Sequence, residues 1–225
     1  MSLQDKLNAF KQNFGAGGPP YNAPQSVHDT FHRATDELIA SGQAERALKA
    51  GDRVTDFTLP DSDGNAVSSR ELLAKGPLVI TFYRGVWCPY CNIDLQAIEA
   101  AADEIRATGA SLVSISQQTP ANSRLSKRQN NVSFPILSDK AGEVAHTFGI
   151  RFVLPDYLQE LYKAFGTNLP AINDEPSWTV AMPARYVIRQ DGVIAYAEVS
   201  PDYTIRPDPS EMLPTLKGLQ VTKTA

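Results

Sequence analysis

Both cysteines of this 225-residue chain lie in one short segment, with the spacing of a thiol redox centre. Cys88 and Cys91 are separated by two residues, behind the apolar run 78–83 and ahead of a segment with helical periodicity. A helix start offers unpaired N–H groups and the positive end of the helix dipole, which lower the pKa of a thiol at Cys88. Pro89 suits the first turn because its missing N–H is not needed there. Cys91, one turn further on, can close a small disulfide with Cys88.

A metal site is one alternative for the cysteine pair, and the sequence does not favour it. Structural zinc takes about four ligands, and the chain has no third cysteine, only His28, His32 and His146. His28 and His32 are four residues apart on a predicted helix, but without a third ligand we interpret them as solvated surface residues. A purely structural disulfide across so short a loop would stabilise the chain little. We therefore predict a redox pair that needs no metal and no organic cofactor.

The composition is that of a globular protein large enough for one well-packed domain with an extension. Hydrophobic residues make up 42%, which suffices for a core, and the net charge of −4 argues against a nucleic-acid partner. Residues 1–7 lack a basic segment followed by an apolar stretch, and later apolar runs are too short to cross a bilayer. We expect a cytoplasmic protein with no membrane partner, which fits reduced cysteines used for chemistry.

The first 50 residues are predicted to form a helical extension. Apolar residues at helical spacing indicate a short helix over residues 1–14, ended by the glycine- and proline-rich run 15–20. After a linker to about residue 25, Ser26 could cap a second helix that runs to about Ala50. The apolar stripes of the two helices can pack on the main domain or across a two-fold interface, and we expect a homodimer.

Residues 51–225 are predicted to form one redox domain. Strands are expected at 54–59, 66–68, 78–83, 110–116, 132–137, 185–189 and 193–199. A helix is expected from the cysteine segment until Thr108-Gly109 stops it, and further helices at 121–131, 143–148, 156–165 and 207–219. The strand–helix–strand unit around the cysteines should be parallel. The final two strands flank Asp191-Gly192, a strong hairpin signal. This order predicts a thioredoxin-like α/β fold, a central mixed sheet flanked by helices.

Several segments resemble the thioredoxin-fold antioxidant family that contains the peroxiredoxins and the alkyl hydroperoxide reductases. The blocks 51–60, 134–139 and 186–194 stand in the family's order around the cysteine pair, and the resemblance covers about residues 50 to 220. It implies a thiol-dependent peroxidase. It also implies that Pro183 is a cis-proline that packs against Cys88 and Cys91, the alternative being an ordinary proline at the start of a strand.

The chain departs from the family at the positions that activate peroxide. Typical members carry a hydroxyl side chain three residues before the reactive cysteine, where this chain has Gly85. The arginine that they supply from the neighbouring strand has Pro183 at its apparent position. The segment Trp-Cys-Pro-Tyr-Cys is closer to thioredoxins and glutaredoxins, yet the buried carboxylate that thioredoxins carry six residues before the first cysteine is Phe82 here.

The leading hypothesis is therefore a peroxidase with a substitute for the missing groups. Cys88 attacks hydrogen peroxide or an organic hydroperoxide, Cys91 condenses with the sulfenic acid, and an external thioredoxin- or glutaredoxin-type protein reduces the disulfide. Arg84 could supply the missing charge, or be a surface arginine at a strand end. Trp87 and Tyr90 are expected to wall the site and present it to partners. The alternatives are a disulfide oxidoreductase that uses the same residues and a redox-sensing interaction protein.

Overall fold

A five-stranded mixed sheet lies at the centre of the protein, whose computed structural model describes residues 1–17 and 22–221. The strands of the chain are β1 Thr58–Pro60, β2 Ala66–Ser68, β3 Leu78–Phe82, β4 Ser111–Ser116, β5 Ile136–Ser138, β6 Arg151–Val153, β7 Thr179–Ala181, β8 Ala184–Ile188 and β9 Ile194–Val199. The sheet order is β5-β4-β3-β8-β9. β3 pairs parallel with β4 and antiparallel with β8. The predicted thioredoxin-like fold is confirmed.

Helices flank this sheet on both faces. They are α1 Leu3–Gly15, α2 Gln25–Ala40, α3 Gln43–Arg46, α4 Ser69–Lys75, α5 Pro89–Ala107, α6 Pro120–Asn130, α7 Glu143–Thr147, α8 Asp156–Ala164, α9 Leu169–Asn173 and α10 Leu213–Val221, with 3-10 turns at Lys140–Gly142 and Pro209–Met212. In the described part of the chain, none of them combines the length and the apolar character that a bilayer crossing requires.

The central strand β3 is buried on both faces, as its continuous apolar run predicts. Successive side chains of a strand point to opposite faces. Val79 accordingly packs into a core with Leu95 and Ile98 of α5, whereas Ile80 and Phe82 pack into a second core on the other side. Since β3 leads directly into the cysteine segment, both cores hold that segment in place.

The N-terminal helix α1 packs on the same core as the cysteines. Ser2 caps it by accepting a hydrogen bond from the Asp5 N–H, and the Asp5 carboxylate accepts one from the Ser2 N–H in return. Leu3 and Leu7 are 2% and 0% exposed and lie in one cluster with Cys88 and Cys91. The division into an extension, residues 1–50, and a domain, residues 51–225, stays a prediction.

The second helix differs from the prediction at both ends. It begins at Gln25 after Pro24, so Ser26 lies in its first turn and is not its cap. It ends at Ala40 and not near Ala50, because Gly42 adopts a left-handed conformation (φ 65°) and starts the short helix α3.

The interpretation of His28 as a solvated surface residue is wrong. His28 is 7% exposed, and its ring packs edge-on to Phe14 at 4.6 Å, so it is a buried residue and not a solvated one, while His32 is exposed. The helix predicted at 156–165 is present as α8, and the strand before it, β6, which the sequence did not predict, pairs antiparallel with β7. The described residues hold no cluster of three side chains suited to a metal ion.

Candidate active site

Cys88 stands at the start of α5, the position that its sequence context predicts. It is the N-cap residue, and Pro89 occupies the first turn of the helix. Cys88 and Cys91 are both free thiols and are 1% and 0% exposed. Cys91 lies one turn further along the same helix, where its side chain is within hydrogen-bond reach of Cys88.

The surroundings of Cys88 favour its thiolate. Burial alone would raise the pKa of the Cys88 thiol, but the hydrogen bond from the Cys91 thiol, the charge of Arg84, the Cys91 backbone N–H and the charge of Arg206 together lower it to about 6. Burial and the neighbouring Cys88 raise the pKa of Cys91 well above its ordinary value. At neutral pH, Cys88 is therefore the thiolate and Cys91 the thiol.

Arg84 is a buried residue of the site, so the alternative of a surface arginine is wrong. It is 5% exposed, and its Nη2 donates a hydrogen bond of 2.6 Å to the hydroxyl of Tyr162. Its guanidinium lies 4.2 Å from the ring centroid of Tyr203 and 4.8 Å from that of Trp87. Three aromatic residues therefore hold this charge close to Cys88 and shield it from water.

Above Cys88 lies a cleft of about 350 Å³ whose walls are mostly aromatic. The helices α1 and α2 and the segment 156–167 supply much of its lining. Its aromatic residues are Phe10, Phe14, Phe31, Trp87, Tyr90, Tyr162, Phe165 and Tyr203. Trp87 and Tyr90 thus line the space over the sulfur, and the N-terminal helices take part in the site.

Behind Cys91 lies a group of buried charges that sequence reasoning missed. Nη2 of Arg206 lies 3.9 Å from Cys91 Sγ, and Asp94 accepts a hydrogen bond of 2.8 Å from Arg185. Asp94 follows Cys91 by three residues on the otherwise apolar face of α5. A carboxylate within this apolar stripe could have indicated a buried ion pair from the sequence. Nothing in the sequence around the loop residue Arg206 indicated its place in the site.

Pro183 immediately precedes β8. It lines a small cavity together with Arg84 and Met182. Its packing against the two cysteines stays a prediction.

The loop before Cys88 explains why glycine stands where the family has a hydroxyl side chain. Gly85 has φ 140°, and a Cβ atom on it would lie 2.5 Å from Nε1 of Trp87. The side-chain Oε1 of Gln118 accepts a hydrogen bond of 2.9 Å from the Val86 N–H and fixes the loop. The indole ring of Trp87 therefore takes the place of the missing side chain.

We predict that Gly85→Ser, which restores a hydroxyl, lowers the free energy of unfolding by at least about 2 kcal/mol and does not raise peroxide reactivity. Urea unfolding followed by circular dichroism measures the loss. Gly64→Ser is the matched control, because Gly64 also has positive φ (89°) but open space around the missing Cβ. Its loss should be about 1 kcal/mol. Equal losses in the two variants would contradict the role given to Trp87.

Comparison with known proteins places this site in a family. The profile of the AhpC/TSA family matches residues 50–197. A putative peroxiredoxin of Mycobacterium tuberculosis is 34% identical over 104 residues, which cover 46% of this chain and 68% of that protein. The thiol-disulfide oxidoreductase ResA of Halalkalibacterium halodurans is 32% identical over 111 residues, which cover 48% of this chain and 61% of that protein.

Solved structures agree with these relatives. The crystal structure of the peroxidoxin BcpB from Mycobacterium tuberculosis superposes with a TM-score of 0.60 at 25% identity, and the match covers 76% of this chain and 98% of that one. The matched family region begins with the strands that follow α3 and includes Cys88 and Cys91. The match extends from ahead of β1 to within β9 and contains the redox centre. The chain therefore belongs to the AhpC/TSA family.

Proposed function

We propose that the protein is a thiol-dependent peroxidase that reduces hydroperoxides through a cycle between the Cys88/Cys91 dithiol and its disulfide. One observation carries the proposal: a thiolate-forming cysteine with a pKa of about 6 lies beneath an open cleft, with a buried arginine beside it. The peroxiredoxin relatives support the same reaction type.

The proposed reaction requires the two cysteines, a hydroperoxide and an external dithiol protein. Cys88 Sγ attacks one oxygen of the hydroperoxide, the O–O bond breaks, and the leaving alkoxide or hydroxide takes a proton to become an alcohol or water. Cys88 is then a sulfenic acid. Cys91 attacks it, a disulfide forms and water leaves. A thioredoxin- or glutaredoxin-type dithiol then reduces the disulfide and is itself oxidised.

Arg84 is proposed to replace the family's peroxide-binding groups. Its charge lowers the pKa of Cys88, and its Nε has no hydrogen-bond partner within the described residues. The same holds for Nε1 of Trp87. These two N–H groups can donate to the peroxide oxygens, where negative charge develops as the O–O bond breaks.

The cleft is proposed to favour an organic hydroperoxide with an apolar or aromatic group over hydrogen peroxide. Its aromatic walls can bury such a group while the hydroperoxide reaches Cys88. Phe165 stands in its lining and is 41% exposed.

We predict that Phe165→Ala lowers the rate constant for cumene hydroperoxide about 3- to 10-fold, because the variant loses apolar contact with the ring of that substrate. The rate constant for hydrogen peroxide, which is too small to reach the wall, should stay unchanged. Stopped-flow fluorescence measures both in one protein, so hydrogen peroxide serves as the control. A proportional loss for both peroxides would refute this role of the cleft.

The remaining expectations about partners and location are also proposals. A thioredoxin- or glutaredoxin-type reductant, a homodimer and a cytoplasmic location are all consistent with the family. Leu3 and Leu7 of α1 are buried in the protein's own core, so a dimer would use another surface. Gel filtration with light scattering tests the dimer.

The peroxidase is tested by the rate of Cys88 oxidation. Reduced protein is mixed with hydrogen peroxide or cumene hydroperoxide, and Trp fluorescence and intact mass are followed. We expect Cys91→Ser to complete one turnover and stop at the sulfenic acid, and Cys88→Ser to react no faster than a free thiol. A rate like that of free cysteine in the wild-type protein, with rapid reaction toward disulfides, would instead favour the oxidoreductase alternative, to which the similarity to ResA points.

A further inference from the structure

A cluster of largely buried charged side chains lies behind Cys91. The reaction proposed above uses only one of its charges, that of Arg206, which helps to lower the pKa of Cys88. Its members are Asp94 of α5, Arg185 of β8, Glu198 of β9 and Arg206 of the loop after β9. Asp94, Arg185 and Arg206 are 5%, 2% and 3% exposed. Charges buried this deeply are costly to desolvate, so their arrangement calls for a structural or chemical reason.

Arg206 is the member that reaches the sulfur. Its Nη2 lies within hydrogen-bond distance of Cys91 Sγ, at 3.9 Å, and its Nη1 donates to the Ile205 carbonyl oxygen at 2.7 Å. Its Nε lies 3.6 Å from Oδ2 of Asp94. Its backbone N–H donates to the side chain of Gln4 in α1 at 3.0 Å. These contacts hold the guanidinium with one N–H edge toward Cys91.

Asp94 is held in turn by the rest of the cluster. Arg185 donates to its Oδ1 at 2.8 Å and to the Pro207 carbonyl oxygen, in the same loop as Arg206, at 3.0 Å. Glu198 lies opposite Arg185 in the β8–β9 ladder, 3.7 Å from its Nη1. The cluster therefore ties Arg206 to both the helix that carries Cys91 and the central sheet.

Cys91 needs a positive charge beside it only after Cys88 has reacted, because Cys91 must then act as a thiolate. In the reduced protein, the pKa of Cys91 is raised by burial and by Cys88. Oxidation of Cys88 to a sulfenic acid removes the thiolate charge, and Arg206 and Arg84 are then the charges that act on Cys91. Tyr83 and Tyr162 also interact with Cys91, but burial raises the pKa of both, so they stay neutral.

We propose that Arg206 is a catalytic residue of the disulfide-forming step, which it promotes by stabilising the Cys91 thiolate, and that Asp94 is its positioning residue. The inference rests on the proposed function. In this step Cys91 Sγ attacks Sγ of the Cys88 sulfenic acid, the S–S bond forms and the S–O bond breaks. The hydroxide that leaves takes up the proton given off by the Cys91 thiol and becomes water. The peroxide has already been consumed, so no further oxidant is required.

The test separates the two sulfur steps with a probe that does not depend on peroxidase activity. Reduced protein reacts with 2,2′-dithiodipyridine: Cys88 displaces one thiopyridone to form a mixed disulfide, and Cys91 displaces the second as the Cys88–Cys91 disulfide closes. Both releases are followed by absorbance. In Arg206→Gln we expect the second release to slow at least tenfold at pH 7, its pH midpoint to rise, and the first release to change less than threefold.

Two variants make this result interpretable. Arg106→Gln, the same change at an exposed arginine of α5, should leave both phases as in the wild type. Arg206→Lys keeps the charge but loses the planar fork, so the second release should slow at least threefold with the first kept. This variant remains informative if Arg206→Gln does not fold.

An unchanged second phase and pH midpoint in whichever Arg206 variant folds would overturn the proposal. An equal slowing of both phases would do the same, because it would show a general structural effect. The same two phases are then followed with hydrogen peroxide. A slow first reaction with peroxide in the wild type refutes the proposed peroxidase and leaves the result for Arg206 standing.

Discussion

Arg84→Met should lower the second-order rate constant for Cys88 oxidation by hydrogen peroxide about 100-fold at pH 7. Two losses contribute. The Cys88 thiol loses a buried positive charge that lowers its pKa, and the peroxide loses a buried N–H donor. Methionine fills much of the volume of arginine, so the aromatic side chains around Arg84 keep a contact partner. Stopped-flow fluorescence of the reduced protein measures the rate.

The pH profile separates these two losses. With a pKa of about 6, Cys88 in the wild type is mostly thiolate at pH 7, and its rate falls as the pH drops through 6. Removal of Arg84 raises this pKa, so the midpoint of the rate profile moves to higher pH. Above the variant's own midpoint both proteins hold the thiolate, and the wild-type and variant rates should converge in part. The difference that remains measures the contribution of Arg84 to breaking the O–O bond.

Arg84→Lys and Tyr162→Phe serve as controls for this result. Lysine keeps the charge but loses the flat contact with Tyr203, and Tyr162→Phe removes only the hydroxyl that accepts from Arg84. Both should fall between the wild type and Arg84→Met. A rate for Arg84→Met within threefold of the wild type, with the same pH midpoint, would show that Arg84 serves packing and not the reaction.

The parts of the site that sequence could predict are local in the chain. The run Leu78–Phe82, the cysteine pair and the apolar stripe of α5 lie within 30 residues. Their order alone indicates a buried strand that leads into a helix start, and the thiolate chemistry follows from that position. The hairpin formed by β8 and β9 was likewise predictable, because Asp191-Gly192 is a local turn signal.

The features that sequence analysis missed depend on contacts between residues far apart in the chain. Arg206 is 115 residues from Cys91, and Tyr162 is 78 residues from Arg84. β6 and β7 pair over only three residues each, too few for an alternating pattern to stand out. His28 is polar by type, and only the packing of α1 against α2 buries it beside Phe14.

Charged residues inside apolar stretches were the signal that could have been used. Arg185 interrupts the buried strand β8, and Asp94 interrupts the buried face of α5. Two such interruptions of opposite charge predict a buried pair when their elements are adjacent in the fold. The sequence does not specify that adjacency, since it depends on the placement of α5 over the sheet.

Arg185→Met should lower the free energy of unfolding by about 3 to 5 kcal/mol at pH 7, the range expected when one partner of a buried ion pair is removed. The variant leaves the Asp94 carboxylate, 5% exposed, without its 2.8 Å donor. It also frees the Pro207 carbonyl oxygen. Urea unfolding followed by circular dichroism measures the loss.

The same substitution at Arg189 is the matched control. Arg189 follows β8 and forms an equally short ion pair, 2.7 Å to Asp191, but its side chain is 46% exposed. Arg189→Met should therefore cost less than about 1 kcal/mol, since water screens an exposed pair. Replacing Asp94 by leucine in the Arg185→Met protein should recover part of the loss, because one positive charge, Arg206, then again faces one carboxylate, Glu198, and not two. A similar loss of unfolding free energy in Arg185→Met and Arg189→Met would contradict this explanation. So would a further loss in the double variant, because it would show that the buried Asp94 carboxylate is not the cause of the destabilisation.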